Sequence, residues 1–204
     1  MRLVILTVLT ASMLLTAGCD SASKQKEQAP QAIDAARAQK LGGKREDIGL
    51  ESDNGSKAVL TYAFAGTAAP KAAFTGADGR DVQLSDFAGR PLLVNVWATW
   101  CAPCKVEMPT LDVLAAREEG KMSVITISQD LEGRAPVQAF FKASKIANLE
   151  PYTDEDNALL SALGANVALP TTILYDSNGK EVWRVAGGLE WDDAEVAKLL
   201  AEAA

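Results

Sequence analysis

Pro91-Leu92-Leu93-Val94-Asn95-Val96-Trp97-Ala98-Thr99-Trp100-Cys101-Ala102-Pro103-Cys104-Lys105 is the stretch whose reading decides the fold. Its first eight residues form a nearly continuous apolar run, the pattern of a strand buried on both faces. Lys105 to Glu119 then reads as a helix. Cys101 therefore sits where a buried strand turns into a helix, beside unpaired backbone N–H groups and the positive end of the macrodipole. A thiolate is favoured there, so the pKa of Cys101 is expected to be depressed and its sulfur activated. Cys104 follows one helical turn later, within disulfide reach. Pro103 fits the first turn, where it gives up no intrahelical hydrogen bond. Two cysteines at this spacing are a redox pair or half of a metal site, and the rest of the chain has to choose.

Composition narrows the choice. With 204 residues, 48% of them hydrophobic, the chain is long enough for one domain plus extensions and short for two. Its net charge is −7, from 20 basic and 27 acidic residues. That balance, with no basic patch, argues against a nucleic-acid partner. Only Cys19, Cys101 and Cys104 carry thiols, so this is no disulfide-stapled scaffold. Histidine is absent altogether. That removes His general bases, Cys–His nucleophiles and His-ligated metals, and no metal or cofactor is expected.

The N-terminus reads as a targeting segment. Arg2 is a positive leader, Leu3 to Leu15 is an apolar stretch too short to span a bilayer comfortably, and Leu15-Thr16-Ala17-Gly18-Cys19 closes it. Small residues before a cysteine resemble the lipobox of bacterial lipoproteins. That resemblance implies a signal peptide over residues 1–18 and an acyl chain on Cys19. The mature chain would then face a compartment outside the cytoplasm, periplasmic or extracytoplasmic, where a Cys-x-x-Cys pair can cycle. Residues 19–69 read as a tether. Ser21 to Gln31 is polar, Ile33 to Leu41 reads as a short helix, and Val59 to Phe64 as an extended stretch.

The globular domain is expected over residues 70–204. Phe74 and Asp81-Val82 flank an Asp-Gly turn and read as a hairpin. After the central strand and helix come a strand over Met122–Ile127 and a helix over Pro136–Ile146. A short strand at Glu150–Thr153 and a short helix at Asn157–Leu163 follow. Strands at Thr171–Tyr175 and Glu181–Val185 are joined by Asp176-Ser177-Asn178-Gly179, and a last helix is capped by Asp192 or Asp193. This order gives an α/β fold with a mixed sheet.

Asn95 through Lys105, then Glu107-Met108-Pro109, with Ala168-Leu169-Pro170-Thr171-Thr172 downstream, resembles the thioredoxin superfamily, and within it the TlpA/ResA branch of membrane-anchored thiol–disulfide oxidoreductases. The resemblance implies a thioredoxin-like fold whose mixed central sheet is flanked by helices, with the strand–helix insertion of that branch at Glu150–Leu163. It implies that Cys101 attacks and Cys104 resolves. It implies a cis bond before Pro170, with Leu169 offering backbone groups to a partner chain, and Trp100 beside the site. Trp100, Ala102, Pro103, Leu169 and Pro170 are thus the expected substrate contacts. Strong oxidases of the superfamily carry a histidine between the cysteines, and Ala102-Pro103 does not match them. The implied function is therefore reduction of protein disulfides, on apocytochrome c or copper-site assembly proteins, with electrons from a membrane carrier. An oxidase or isomerase of the same fold is the alternative, and a metal chaperone or a non-catalytic interaction module the remoter ones.

Two further residues draw interest. Asn95 stands where thioredoxin has a buried Asp, and an amide cannot take that proton. Cys104, Glu107, Met108, Leu111, Leu114 and Ala115 share one helical stripe, with Lys105, Asp112 and Glu119 opposite. Glu107 is therefore expected on the apolar face, one turn from Cys104, with a raised pKa and the capacity to exchange its proton. Pro109 predicts a kink in this helix. Trp97 is expected in the core, Trp183 in core or surface, and Trp191 as a packing residue.

Overall fold

The computed structural model describes residues 47–52, 55–164 and 167–203. Cys19 and the helix expected over Ile33–Leu41 lie outside them. Strand β5 (Leu92–Trp97), buried at all of its positions, is the middle of the sheet. The other strands are β1 (Ile48–Glu51), β2 (Lys57–Thr61), β3 (Phe74–Thr75), β4 (Asp81–Val82), β6 (Ser123–Ser128), β7 (Pro151–Thr153), β8 (Thr171–Tyr175) and β9 (Glu181–Gly187). They run in the order β1-β2-β9-β8-β5-β6-β7-β3-β4. β5 pairs parallel with β6 and antiparallel with β8, so the sheet is mixed.

Alternation along β5 assigns the two layers. Leu93 and Trp97 face one core, shared with α1 (Ala102–Arg117), α2 (Arg134–Ser144) and α4 (Ala194–Leu200). Leu92, Val94 and Val96 face the other, with Ile125, Ile127, Ile173 and residues of α3 (Ala158–Leu163). Asn95 takes the same face as Leu93 and Trp97, so a polar side chain points from the central strand toward α1. That placement creates the site described below.

Three expectations need correction. The domain does not begin near Pro70: β1 and β2 form a hairpin whose second strand pairs with β9, from Ala58–Gly187 to Thr61–Arg184. The alternation of exposed and buried residues in Lys57-Ala58-Val59-Leu60 is that of a half-buried strand, and Leu60 is fully buried. Asp112 is not on an open helix face. It is buried and accepts hydrogen bonds from the backbone of Ala147 and Asn148 and from the Asn148 side chain, tying α1 to the loop after α2. Helix α1 starts at Ala102 rather than Lys105, with Cys101 as its N-cap, and runs through Pro109 to Arg117.

The strand–helix insertion is present as β7 and α3, and Asp154 caps α3 by accepting from the backbone of Leu159 and Leu160. Asp193 caps α4 through the Glu195 N–H.

Candidate redox site

Cys101 and Cys104 are joined in a disulfide at the N-terminus of α1. Cys101 Sγ also accepts the Cys104 N–H at 3.3 Å, so the sulfur itself caps the helix. The two sulfurs differ in access: Cys101 is 6% exposed and Cys104 0%. An incoming group reaches Cys101 first. The turn ahead of Cys101 is held by Asp130, a buried residue just after β6, which accepts from the Thr99 N–H and hydroxyl and from the Ser128 hydroxyl. Asp130 therefore fixes the approach from β5 to the disulfide.

Glu107 lies one turn after Cys104, and only 2% of it is exposed. Its Oε1 accepts from Asn95 Nδ2 at 2.7 Å. Its Oε2 accepts from Trp191 Nε1 at 3.0 Å and from the Leu189 N–H at 3.1 Å. Burial pushes the carboxyl up from its ordinary value near 4.5 to about 7, against the opposing pull of the three donors, Trp191, Asn95 and Leu189. At that value it is half ionised at neutral pH and exchanges protons readily. Asn95 also donates to Thr172 Oγ1 at 2.9 Å, so β5 and β8 together orient the amide.

An open groove of about 730 Å³ runs past Cys101. Trp100, Pro103, Leu131, Leu160 and Leu169 line it. Trp100 is 68% exposed and Leu131 70%, a large apolar area to leave in water. The Leu169–Pro170 bond is cis. Of the expected contact positions, Trp100, Pro103 and Leu169 share the groove with Cys101, Ala102 is exposed beside it, and Pro170 is buried. Among the described residues no group of three or more His, Cys, Asp or Glu side chains gathers to hold a metal ion. No helix among them is long and apolar enough to cross a membrane.

Sequence reasoning missed the partners of Glu107 and the role of Asp130. Trp191 is fully buried in the core, as packing predicts, but its indole N–H is committed to the carboxylate. A signal was present: a buried tryptophan in a loop needs an acceptor, and Glu107 was the carboxylate expected inside. Trp97 and Trp183 are core residues, the latter donating to the Leu199 carbonyl.

A disulfide at the start of the helix that leaves the central strand, with a cis-proline loop and a mixed sheet around it, defines a thioredoxin-like thiol–disulfide oxidoreductase. Residues 64–200 match the Redoxin family, and the chain belongs to that family as a ResA-like member of the thioredoxin superfamily. It is 30% identical over 123 residues to the thiol-disulfide oxidoreductase ResA of Bacillus thuringiensis subsp. konkukian, spanning 60% of this chain and 69% of that protein. A Chlorobium tepidum protein assigned as the thiol:disulfide interchange protein DsbE shares the fold, with a TM-score of 0.60 at 24% identity over 69% of this chain and 98% of that one. The exposed lipoprotein thioredoxin of Streptococcus pneumoniae superposes with a TM-score of 0.55 at 27% identity, covering 64% and 97%. The Cys101–Cys104 pair is thus the redox centre of a thiol–disulfide oxidoreductase.

Proposed function

We propose that this protein reduces disulfides of other proteins on the extracytoplasmic face of a membrane, anchored by an acyl chain on Cys19. Cys101 attacks the target disulfide, Cys104 resolves the mixed disulfide, and Glu107 takes the proton that Cys104 must lose. The observation that carries this reading is the buried Glu107 carboxylate, held by three neutral donors one turn from Cys104. Such a group is a ready proton acceptor for a thiol shielded from water. The partner segment lies in the groove against Trp100, Pro103 and Leu169, with the exposed Ala102 beside it and Pro170 buried next to Leu169. Because the groove walls are mostly apolar, with Gln129 and Asn157 the polar side chains among them and no charged one, the segment that enters carries uncharged or apolar residues beside its cysteine.

Reduction rather than oxidation is supported by the groups around the thiols. Ala102-Pro103 adds no cation to stabilise a Cys101 thiolate, and a strongly stabilised thiolate is what makes a pair oxidising. The substrates proposed are apocytochrome c or a copper-site assembly protein, with a membrane electron carrier returning the pair to its dithiol form. A glutathione redox titration tests the direction. The midpoint is expected below about −200 mV, and a value near −120 mV makes the protein an oxidase instead.

The resemblance of Leu15–Cys19 to a lipobox supports the anchor, and a lipoprotein among the structural relatives agrees with it. Labelled palmitate is expected to enter the wild-type chain but not Cys19→Ala, which should become soluble. Equal labelling of the two removes the anchor from this reading.

A further inference from the structure

We propose that Trp191 is a positioning residue for Glu107, and that Thr110 and the N-terminal β1–β2 hairpin hold it in place. This rests on reading Glu107 as the proton acceptor for Cys104, and deepens it.

The loop from Gly187 to Trp191 supplies two of the three donors to the carboxylate, both to Oε2. The terminal torsion of a glutamate is broad, so its plane is set by what it bonds. Two donors on one oxygen and Asn95 on the other leave one orientation. The loop also passes close over the start of α1: a Cβ on Gly188 would stand 3.7 Å from Glu107 Oε2 and 3.6 Å from the Pro103 carbonyl oxygen.

Three anchors hold this loop. The Trp191 N–H donates to Thr110 Oγ1 at 3.0 Å, while the Thr110 hydroxyl donates to the Glu107 carbonyl at 2.7 Å. One side chain thereby links the loop to the turn of α1 that carries the carboxylate. The Glu190 N–H donates to Ser52 Oγ at 3.1 Å, from the chain just after β1. Gly187 pairs with Ala58 of β2 at φ +106°, where a side chain would run into the Lys57 carbonyl. The hairpin therefore meets the loop at both ends.

The groups bonded to Glu107 are neutral: the Asn95 amide from β5, and the Leu189 N–H and Trp191 indole from the loop. Thr172 on β8 orients Asn95 and is neutral too. On α1, the titratable neighbours at the site are Cys101 and Cys104 once reduced. Removing a donor therefore changes the proton affinity of the carboxylate without adding a competing charge.

The step served is Cys104–SH plus Glu107–COO⁻ giving Cys104–S⁻ and Glu107–COOH. The thiolate then displaces the partner's sulfur from Cys101, and that sulfur leaves with the electron pair as a thiolate.

The experiment uses the full-length chain with 13C-labelled glutamate carboxyls, titrated in the oxidised state where the cysteines do not ionise. Glu107→Gln identifies the Glu107 resonance by its loss. Trp191→Phe keeps an aromatic side chain, though a smaller one, and removes the indole donor, and its Glu107 midpoint is expected to rise by about one pH unit. Thr110→Val keeps the indole but cuts its anchor, and shifts the midpoint the same way by less. Resolution of a mixed disulfide at pH 7 should slow about fivefold in Trp191→Phe and recover the wild-type plateau at higher pH. A midpoint unchanged in both variants overturns the proposal. If Trp191→Phe does not fold, Thr110→Val decides alone. If the midpoint moves but Glu107→Gln has the wild-type rate profile, Trp191 still positions the carboxylate and it is the proton-acceptor reading that falls.

Discussion

Cys104→Ser is expected to abolish turnover and leave the partner covalently attached to Cys101. Reduced Cys101 as a thiolate attacks one sulfur of the target disulfide, which releases the other target sulfur as a thiolate and forms a mixed disulfide. Only a second thiolate within reach of Cys101 ends that state. Cys104 is the residue already at bonding distance in the oxidised form, and it is fully buried, so no solvent thiol replaces it easily. A serine hydroxyl fits the space but does not ionise at working pH and does not attack sulfur. The adduct is read on a non-reducing gel and identified by mass spectrometry, which also names the partner. Cys101→Ser, handled identically, should capture nothing. Sustained turnover by Cys104→Ser, or equal capture by Cys101→Ser, would reverse the roles assigned to the two cysteines.

Glu107→Gln should have the next largest effect, on two separate measurements. On rate, a positioned base contributes about 10²-fold or more, so resolution should slow by about that factor at neutral pH, with the first attack by Cys101 little changed. Mixed disulfide then accumulates in stopped-flow experiments with a peptide disulfide. On stability, the sign follows from the raised pKa. The folded state holds its proton up to about pH 7, the unfolded chain only to about 4.5, so stability is lost as pH rises through that window and is flat above it. The shift corresponds to about 3 kcal/mol at the upper end. Glutamine does not titrate, but its amide nitrogen cannot accept as a carboxyl oxygen does, so it leaves a donor opposed on one side at a cost that does not vary with pH. The stability of the variant relative to wild type should therefore rise by up to about 3 kcal/mol between pH 4.5 and pH 8, as measured by chemical denaturation at both pH values. A difference independent of pH, with coincident rate profiles and no accumulation, reduces Glu107 to a packing residue.

The redox centre and its scaffold were legible because each rests on a local pattern. The apolar run into Trp97 is buried at every position of β5, and the two cysteines lie one helical turn apart as their spacing requires. Helical periodicity also placed Glu107 on the buried stripe of α1. The same periodicity misplaced Asp112. A helix wheel shows which residues share a face but not what later segment covers it, and the loop at Ala147–Asn148 covers this one.

The N-terminal hairpin escaped for a different reason. Its strands are short, at four and five residues, and only alternating burial marks them. Two strands of that length are not stable alone, so nothing local distinguishes them from a tether. Their partner, β9, lies more than a hundred residues away in the chain.

By itself, the sequence determined which elements exist near the cysteines, that the pair opens a helix, and that histidine takes no part in the chemistry. These follow from residue type and spacing within a few turns of backbone. Tertiary structure alone decided what surrounds Glu107. Its donors come from β5 and from the loop after β9, 12 residues before it in the chain and 82 and 84 after it. The proton affinity of a buried carboxylate is the difference between the cost of losing water and the gain from such donors. Neither quantity is a property of the residue or its neighbours in sequence; both are set when distant segments close over it.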